Sequence, residues 1–385
     1  MSESEFPDAF AQARKYIGVE KMDDQNDPVQ MVLRFQDVRK CAHNWKSFQS
    51  GAEPGRIVVP SEVAIRSIRQ IPFEVDPPAH KGYRTLVEPW FKRPLKAEYT
   101  NKLKHIVDDA LDEAFSVPEF DVVTDFALPI QSKALAVLLN TPSKEAETWI
   151  SWGTHVFRSE GEALDGDKAN LLYGYLDSEI ERASNEPVDD LYSLLLSAEV
   201  NGKKMTREEV KGVMILTFAG GRDTVINAIT NIVAYFAEHV EELKKLKGDE
   251  PAIKKAVEEL VRYFSPLTHM GRVATEDKVV CQHTVKSDTR ISLCWASANR
   301  DEQVFENPNN VILDRKNNPH VAFGFGVHNC LGSTHARQLL RALIAAMAER
   351  VDNIQLLNAN INLEQWGSVT RKVGFHQLTA CFLGS

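Results

Sequence analysis

Residues 323–332 read FGFGVHNCLG, and a helix-forming run, STHARQLLRALIAAMAERV, follows at once. Gly324 and Gly326 permit backbone conformations that side chains resist, so the segment can turn tightly and bring its backbone close to a flat partner. Cys330 falls where the following helix begins, and the N–H groups and positive dipole end there favour a thiolate. Any fold for this chain must therefore present one thiol on a glycine-shaped loop at a helix N-terminus. Two uses fit such a thiolate: attack on a substrate, or holding a metal. The first needs a histidine base, for which His328 or His335 could serve, but the flanks are apolar and no orienting partner is evident.

Composition limits the setting. The 385 residues are 43% hydrophobic and 26% charged, enough to bury one large core. A net charge of -9 argues against a nucleic-acid partner. No apolar run reaches transmembrane length, and the first residues lack signal-peptide blocks, so no membrane and a cytoplasmic location are expected. Cys41, Cys281, Cys294, Cys330 and Cys381 are odd in number and contain no CxxC pair, which suits a reducing compartment and offers no zinc or iron–sulfur spacing. All but Cys330 read as small core hydrophobes.

Apolar residues recur at helical spacing over about 98–116, 124–140, 143–158, 166–185, 206–238, 251–264 and 331–350. Strand-like segments are short and late: VATEDKVV, TRISLCWA, and a C-terminal pair around NIQLL and HQLTACFL. The expected fold is mainly α with small peripheral β-sheets, in a single domain over 1–385.

A haem-thiolate loop accounts for both glycines and the aromatic between them, which the nucleophile reading does not. FGFGVHNCLG resembles the haem loop of the cytochrome P450 monooxygenases, Phe-Gly-x-Gly-x-His-x-Cys-x-Gly, at Phe323, Gly324, Gly326, His328, Cys330 and Gly332. The departure is downstream, where the family usually has Leu-Ala-Arg and this chain has His335-Ala336-Arg337. The resemblance implies haem b (iron protoporphyrin IX), with Cys330 as axial iron ligand and O2 as co-substrate. The haem would lie between the long oxygen-binding helix and the helix after the cysteine loop.

Other motifs stand in the family's order. EELVRYFSP carries Glu259 and Arg262, spaced to meet on one helix face. A lone pair of this kind is ordinarily a surface ion pair worth little. By resemblance these two, with Arg315, lock the loop beneath the haem. TFAGGRDTVIN interrupts a long apolar helix with Gly220 and Gly221, each unfavourable there by roughly 1 kcal/mol, so something should approach the backbone closely. A tight helix crossing would explain that. The resemblance instead makes the glycines room for oxygen, with Asp223 and Thr224 delivering protons. In FEVDPPAHKGYR, acid and prolines open a helix that sets His80 and Arg84 on one face. By resemblance these bind a haem propionate, as would Arg272 and His328. Only about thirty residues precede FQDVRKC, so the N-terminal sheet is expected to be short.

The substrate pocket, by family position, draws on the 51–73 loop, residues 216–218, 267–270 and 366–369, hence Arg66, Arg69, Thr217, Phe218, Thr268, His269, Met270 and Ser368. Their polarity favours a hydroxyl-rich small molecule over a steroid or long alkyl chain. Some members cleave methyl ethers, so O-demethylation of a methylated sugar such as 6-O-methyl galactose is expected. Hydroxylation of a terpene, fatty acid or aromatic is the alternative. A haem-thiolate binding or sensing protein, and a thiol hydrolase built on Cys330, are the readings outside the class. With no flavin, nicotinamide or iron–sulfur motif, electrons should come from NAD(P)H through ferredoxin reductase and a ferredoxin. That partner would be steered to a basic face of Lys81, Lys92, Arg93, Arg337 and Arg341 on a monomer.

Overall fold

The computed structural model describes residues 7–22, 29–54, 56–57, 68–155, 166–366 and 369–384. Its main helices are α1 (Ala79–Phe91), α2 (Ala97–Phe115), α3 (Leu128–Leu139), α4 (Gly166–Asn185), α5 (Arg207–Gly220), α6 (Asp223–Glu238), α7 (Glu250–Phe264) and α8 (Ser333–Arg350). Amphipathic spacing explains α2, which buries Tyr99, Leu103, Val107, Ala110, Leu111 and Ala114 on one stripe. That stripe packs on α8, where Leu339, Leu340, Leu343, Ile344 and Met347 are buried. Helix α6 is buried nearly all round, from Val225 through Phe236, and forms the centre of the molecule.

Two expectations change here. The single helix expected over 206–238 is two, because the chain breaks at Gly221 and Arg222, and Arg222 adopts φ -90 and ψ -75. The segment Val122–Leu139, a π-helical turn running into α3, does reach membrane-crossing length and apolarity, but most of it is buried inside the fold. It is a core helix of the kind that passes a length test without meeting lipid.

The strands are β1 (Val19–Met22), β2 (Val29–Val32), β3 (Phe48–Gln49), β4 (Phe120–Asp121), β5 (His269–Ala274), β6 (Arg290–Cys294), β7 (Val351–Trp366) and β8 (Val369–Gly384), besides two small hairpins. One sheet has the order β1-β2-β6-β5-β3 and the other β7-β8-β4. β2 pairs parallel to β6 through Ile291 opposite Gln30, so the front of the chain supplies two four-residue strands rather than an extended sheet. Gly271 is required in β5: a side chain there would strike the carbonyl of Ile57, to which the Gly271 N–H donates at 2.8 Å.

Candidate active site

The cysteine loop is held from several directions. Cys330 N donates to the Phe323 carbonyl at 2.7 Å, closing the turn. Gly324 and Gly326 lie at φ 73 and 78, where side chains are strained. The close approach at Gly326 is to protein: a side chain would come within 2.7 Å of the Ala42 carbonyl, on the helix Phe35–His43. This corrects the expectation that both glycines serve a flat partner. The Cys330 thiol accepts backbone hydrogen bonds from Gly332 and Ser333 at the start of α8. Desolvation of the site is the largest influence and pushes that thiol's pKa up, while those N–H groups and the charges of Arg84 and Arg337 pull it down.

Both histidines offered as a base are engaged elsewhere. His335 is buried, its Nδ1 2.7 Å from the Tyr99 hydroxyl, and burial lowers its pKa to about 4. His328 Nε2 meets Asp76 Oδ1 at 3.0 Å. Asp76 also accepts from the N–H groups of Ser50 at 3.2 Å and Gly51 at 2.7 Å. Burial would raise its pKa, yet these donors hold it below the usual carboxylate range. Sequence reasoning used Asp76 only as a helix entry and missed this anchor, since its partners lie far along the chain.

Among the described residues, the buried Nδ1 of His328 has no partner, nor has the buried Nε2 of His80, whose ring lies 4.7 Å away. Burial lowers the His80 pKa to about 4, helped by the charges of His328 and Arg84. Arg272 is buried nearby in β5, and burial pulls its guanidinium down to about 10. Two orphaned imidazole nitrogens and a buried cation are what a carboxylate would complete, so the residues present fit a haem propionate. Arg84 departs from the expected shared grip with His80. Its NH1 donates to the Asn329 carbonyl at 2.8 Å and its NH2 to Asn329 Oδ1 at 3.0 Å.

Beneath the loop, Glu259 and Arg262 pair at 2.8 and 2.9 Å with both side chains fully buried. Arg315 and the Ile312 N–H also donate to Glu259, at 2.9 and 2.8 Å. Arg262 reaches on to the carbonyls of Asn299 and Pro308 at 2.8 and 2.9 Å. One α7 face thus holds the chain between 299 and 315 that leads into the loop.

At the α5–α6 break, a β-carbon added at Gly220 would meet only Leu216 Cδ1 at 3.7 Å, and one added at Gly221 only Thr217 O at 3.5 Å. Among the described residues no neighbouring helix crowds either glycine, which counts against a tight crossing and leaves room for a ligand. Thr224 Oγ1 donates to the Gly220 carbonyl at 3.1 Å, and Asp223 Oδ2 meets His155 Nδ1 at 2.8 Å. A side chain on Gly332 would also meet nothing within 4 Å.

Several pocket candidates are corrected. Phe218 is fully buried in an aromatic cluster, 5.0 Å from Trp149 and 6.0 Å from Tyr175. Thr217 turns its hydroxyl back to Val213 O at 2.8 Å, the usual fate of a threonine inside a helix. Arg69 donates to the carbonyls of Ala52 and Glu74 at 2.8 and 2.6 Å, tying its own loop. Thr268 is buried between Glu364 and Arg371. His269 and Met270 remain half-buried at the start of β5, His269 with its ring 5.5 Å from Trp366 beside the β7–β8 tip. Arg66 and Ser368 lie outside the described residues. The basic face is also thinner than expected: Arg337 pairs with Glu258 at 2.7 and 2.8 Å, and Lys92 with Glu88 at 3.1 Å. Arg93 stacks over Trp90 at 4.0 Å, and burial lowers the pKa of Arg341, while Lys81 and Lys92 are exposed.

A family model described as Cytochrome P450 matches residues 169–353. A cytochrome P450 of Bacillus subtilis is 32% identical over 287 residues, 73% of this chain and 70% of the relative. The chain belongs to the cytochrome P450 family. The biotin biosynthesis cytochrome P450 of the same organism is 31% identical over 286 residues, 72% of each chain. A solved structure described as a carbohydrate active P450 is 60% identical, covers 100% of both chains and superposes with a TM-score of 0.97. This P450 is therefore a monooxygenase that uses haem iron and O2 and takes its electrons from redox partners. The mainly helical fold with small sheets matches that family.

Proposed function

We propose that this P450 oxidatively O-demethylates a methylated sugar such as 6-O-methyl galactose, releasing formaldehyde. The observation that carries the reading is the 60% identity, over the whole of both chains, with a structure described as a carbohydrate active P450. Hydroxylation of the methoxy carbon gives a hemiacetal, which collapses to formaldehyde and the free sugar alcohol.

When bound, haem b supplies the activation of O2 that inserts one oxygen atom into a C–H bond, consuming two electrons and two protons and forming water. Cys330 holds the iron as thiolate, and its charge is eased by the Gly332 and Ser333 N–H groups. His80, His328 and Arg272 hold a propionate, with Asp76 fixing the His328 ring. Arg84 positions the cysteine loop through Asn329. Gly220 and Gly221 leave space at the α5–α6 break, and Asp223 with Thr224 hold and pass protons there. A ferredoxin and its reductase supply the electrons, with the exposed Lys81 a cation of the docking face.

A spectral titration tests the substrate class. Methylated monosaccharides, methoxyarenes, fatty acids and terpenes are added to the ferric protein, and the low- to high-spin shift on loss of the iron-bound water is followed. The shift is expected with 6-O-methyl galactose or a close relative. Shifts confined to fatty acids or terpenes would overturn the sugar reading while leaving the monooxygenase assignment intact.

A further inference from the structure

We propose that His155 is a proton-relay residue for the monooxygenase reaction, feeding Asp223 from solvent. The inference rests on the proton-delivery role proposed above for Asp223 and Thr224, and adds a third member from a separate part of the chain. His155 Nδ1 lies 2.8 Å from Asp223 Oδ2. The histidine side chain is 25% exposed and the aspartate 44%, so the imidazole can exchange protons with water while holding the carboxylate.

The contact is built rather than incidental. Arg222, next to Asp223, is fully buried, and its Nε donates to the Gly153 carbonyl at 2.9 Å while NH2 bonds the carbonyls of Trp149 and Gly153. Adjacent residues at the helix break thus clamp one loop twice: Arg222 by its backbone, Asp223 through His155. Gly153 turns at φ 79, which sends the chain back toward α6. A buried guanidinium is costly, and burial pulls that of Arg222 down to about 10; spending it on this loop fixes where His155 sits. Among the described residues Lys168 also lies at this corner, its Nζ 3.6 Å from where a side chain on Gly153 would begin.

The proton balance is simple. A neutral ring carrying Nδ1–H takes a proton from water at Nε2 and gives its Nδ1–H to Asp223, and the carboxyl passes the proton toward the Thr224 side of the break. The ring then resets by losing Nε2–H to water while Nδ1 regains a proton from water, so that one proton moves from solvent to Asp223 per cycle. Histidine suits this because its two nitrogens let a proton enter on one side and leave on the other. A merely structural histidine would tether the loop through the same hydrogen bond without carrying protons.

Glutamine separates these roles, since its amide can still donate to Asp223 but cannot relay a proton. His155→Gln, His155→Ala and Asp223→Asn are compared in the reconstituted holoenzyme, with 6-O-methyl galactose or, failing that, the panel ligand giving the largest spin shift. Product formed per electron consumed, the solvent deuterium isotope effect and turnover driven by hydrogen peroxide are measured. Peroxide brings both the oxygen and its protons, so it bypasses the relay. His155→Gln should lower product per electron at least several-fold and change the isotope effect, while its peroxide-driven rate stays within about twofold of wild type. In 15N-histidine spectra of the ferrous carbon monoxide form, the His155 Nδ1–H signal should be lost in Asp223→Ala. Undiminished coupling in His155→Gln beside a collapse in Asp223→Asn would overturn the relay and leave the role of Asp223 standing. Undiminished coupling in both variants would overturn both readings. An equal fall in electron-driven and peroxide-driven turnover would make His155 structural and overturn the relay.

Discussion

Arg84 grips Asn329 twice, carbonyl at 2.8 Å and amide oxygen at 3.0 Å, one residue before the cysteine that the family uses to bind iron. Helix α1 thereby fixes the loop by its backbone, while His80 on the same helix faces the orphaned nitrogen of His328. On the proposed reading, one helix serves both loop position and anion charge through residues four apart.

Cys330→Ala should abolish the thiolate-type carbon monoxide difference spectrum, because no other side chain on the loop supplies an anionic sulfur. The measurement is the reduced carbon monoxide spectrum of the purified variant. A surviving thiolate-type spectrum would assign the ligand elsewhere.

Glu259→Ala should cost on the order of 3–5 kcal/mol, since it leaves Arg262 and Arg315 charged with no carboxylate between them. Chemical denaturation of the haem-loaded protein reads this directly, and haem content after purification should fall with it. A variant as stable as wild type would show that the triad does not lock the loop.

The helices legible in the sequence were those with one clean apolar stripe. α2, α4 and α7 fall within a residue or so of the spacing, at Ala97–Phe115, Gly166–Asn185 and Glu250–Phe264. The C-terminal ribbon was legible only at NIQLL and HQLTACFL, although β7 and β8 pair from Val351 to Gly384. Its polar middle pairs through backbone groups, with several register shifts, and so leaves no apolar alternation to read. Likewise the motifs located Gly220, Gly221 and Glu259, but not the rotational phase of α5, which buries Phe218 among aromatics and turns Thr217 inward. Asp76 and His155 were missed because their partners lie 252 and 68 residues away.

Glu258 gives a pH prediction. Burial would raise its pKa, but His320 Nε2 at 2.9 Å and the bidentate Arg337 hold it at about 2, against an ordinary 4.5. A depressed carboxylate stabilises the fold above its unfolded value and loses that contribution as pH falls through the folded one. The stability gap between wild type and Glu258→Gln should therefore be a few kcal/mol at neutral pH and close between about pH 4.5 and 2. Arg341 faces the same carboxylate and should keep the sign unchanged. Denaturant midpoints at several pH values decide it; a gap independent of pH would remove the ion pair from the account.

Reduction by an acidic ferredoxin should slow as ionic strength rises, and Lys81→Glu should slow it further at low salt. Stopped-flow reduction rates check this. Because Arg337 and Lys92 are already paired, the salt slope should be shallow, and rates indifferent to salt would mean a dock without electrostatic steering.

The most direct test of the proposed reaction is product stoichiometry in the reconstituted system. With NADH, a ferredoxin, its reductase and 6-O-methyl galactose, formaldehyde and galactose should appear one for one. A hydroxylated sugar that keeps its methyl group, or NADH consumption with no formaldehyde, would contradict it.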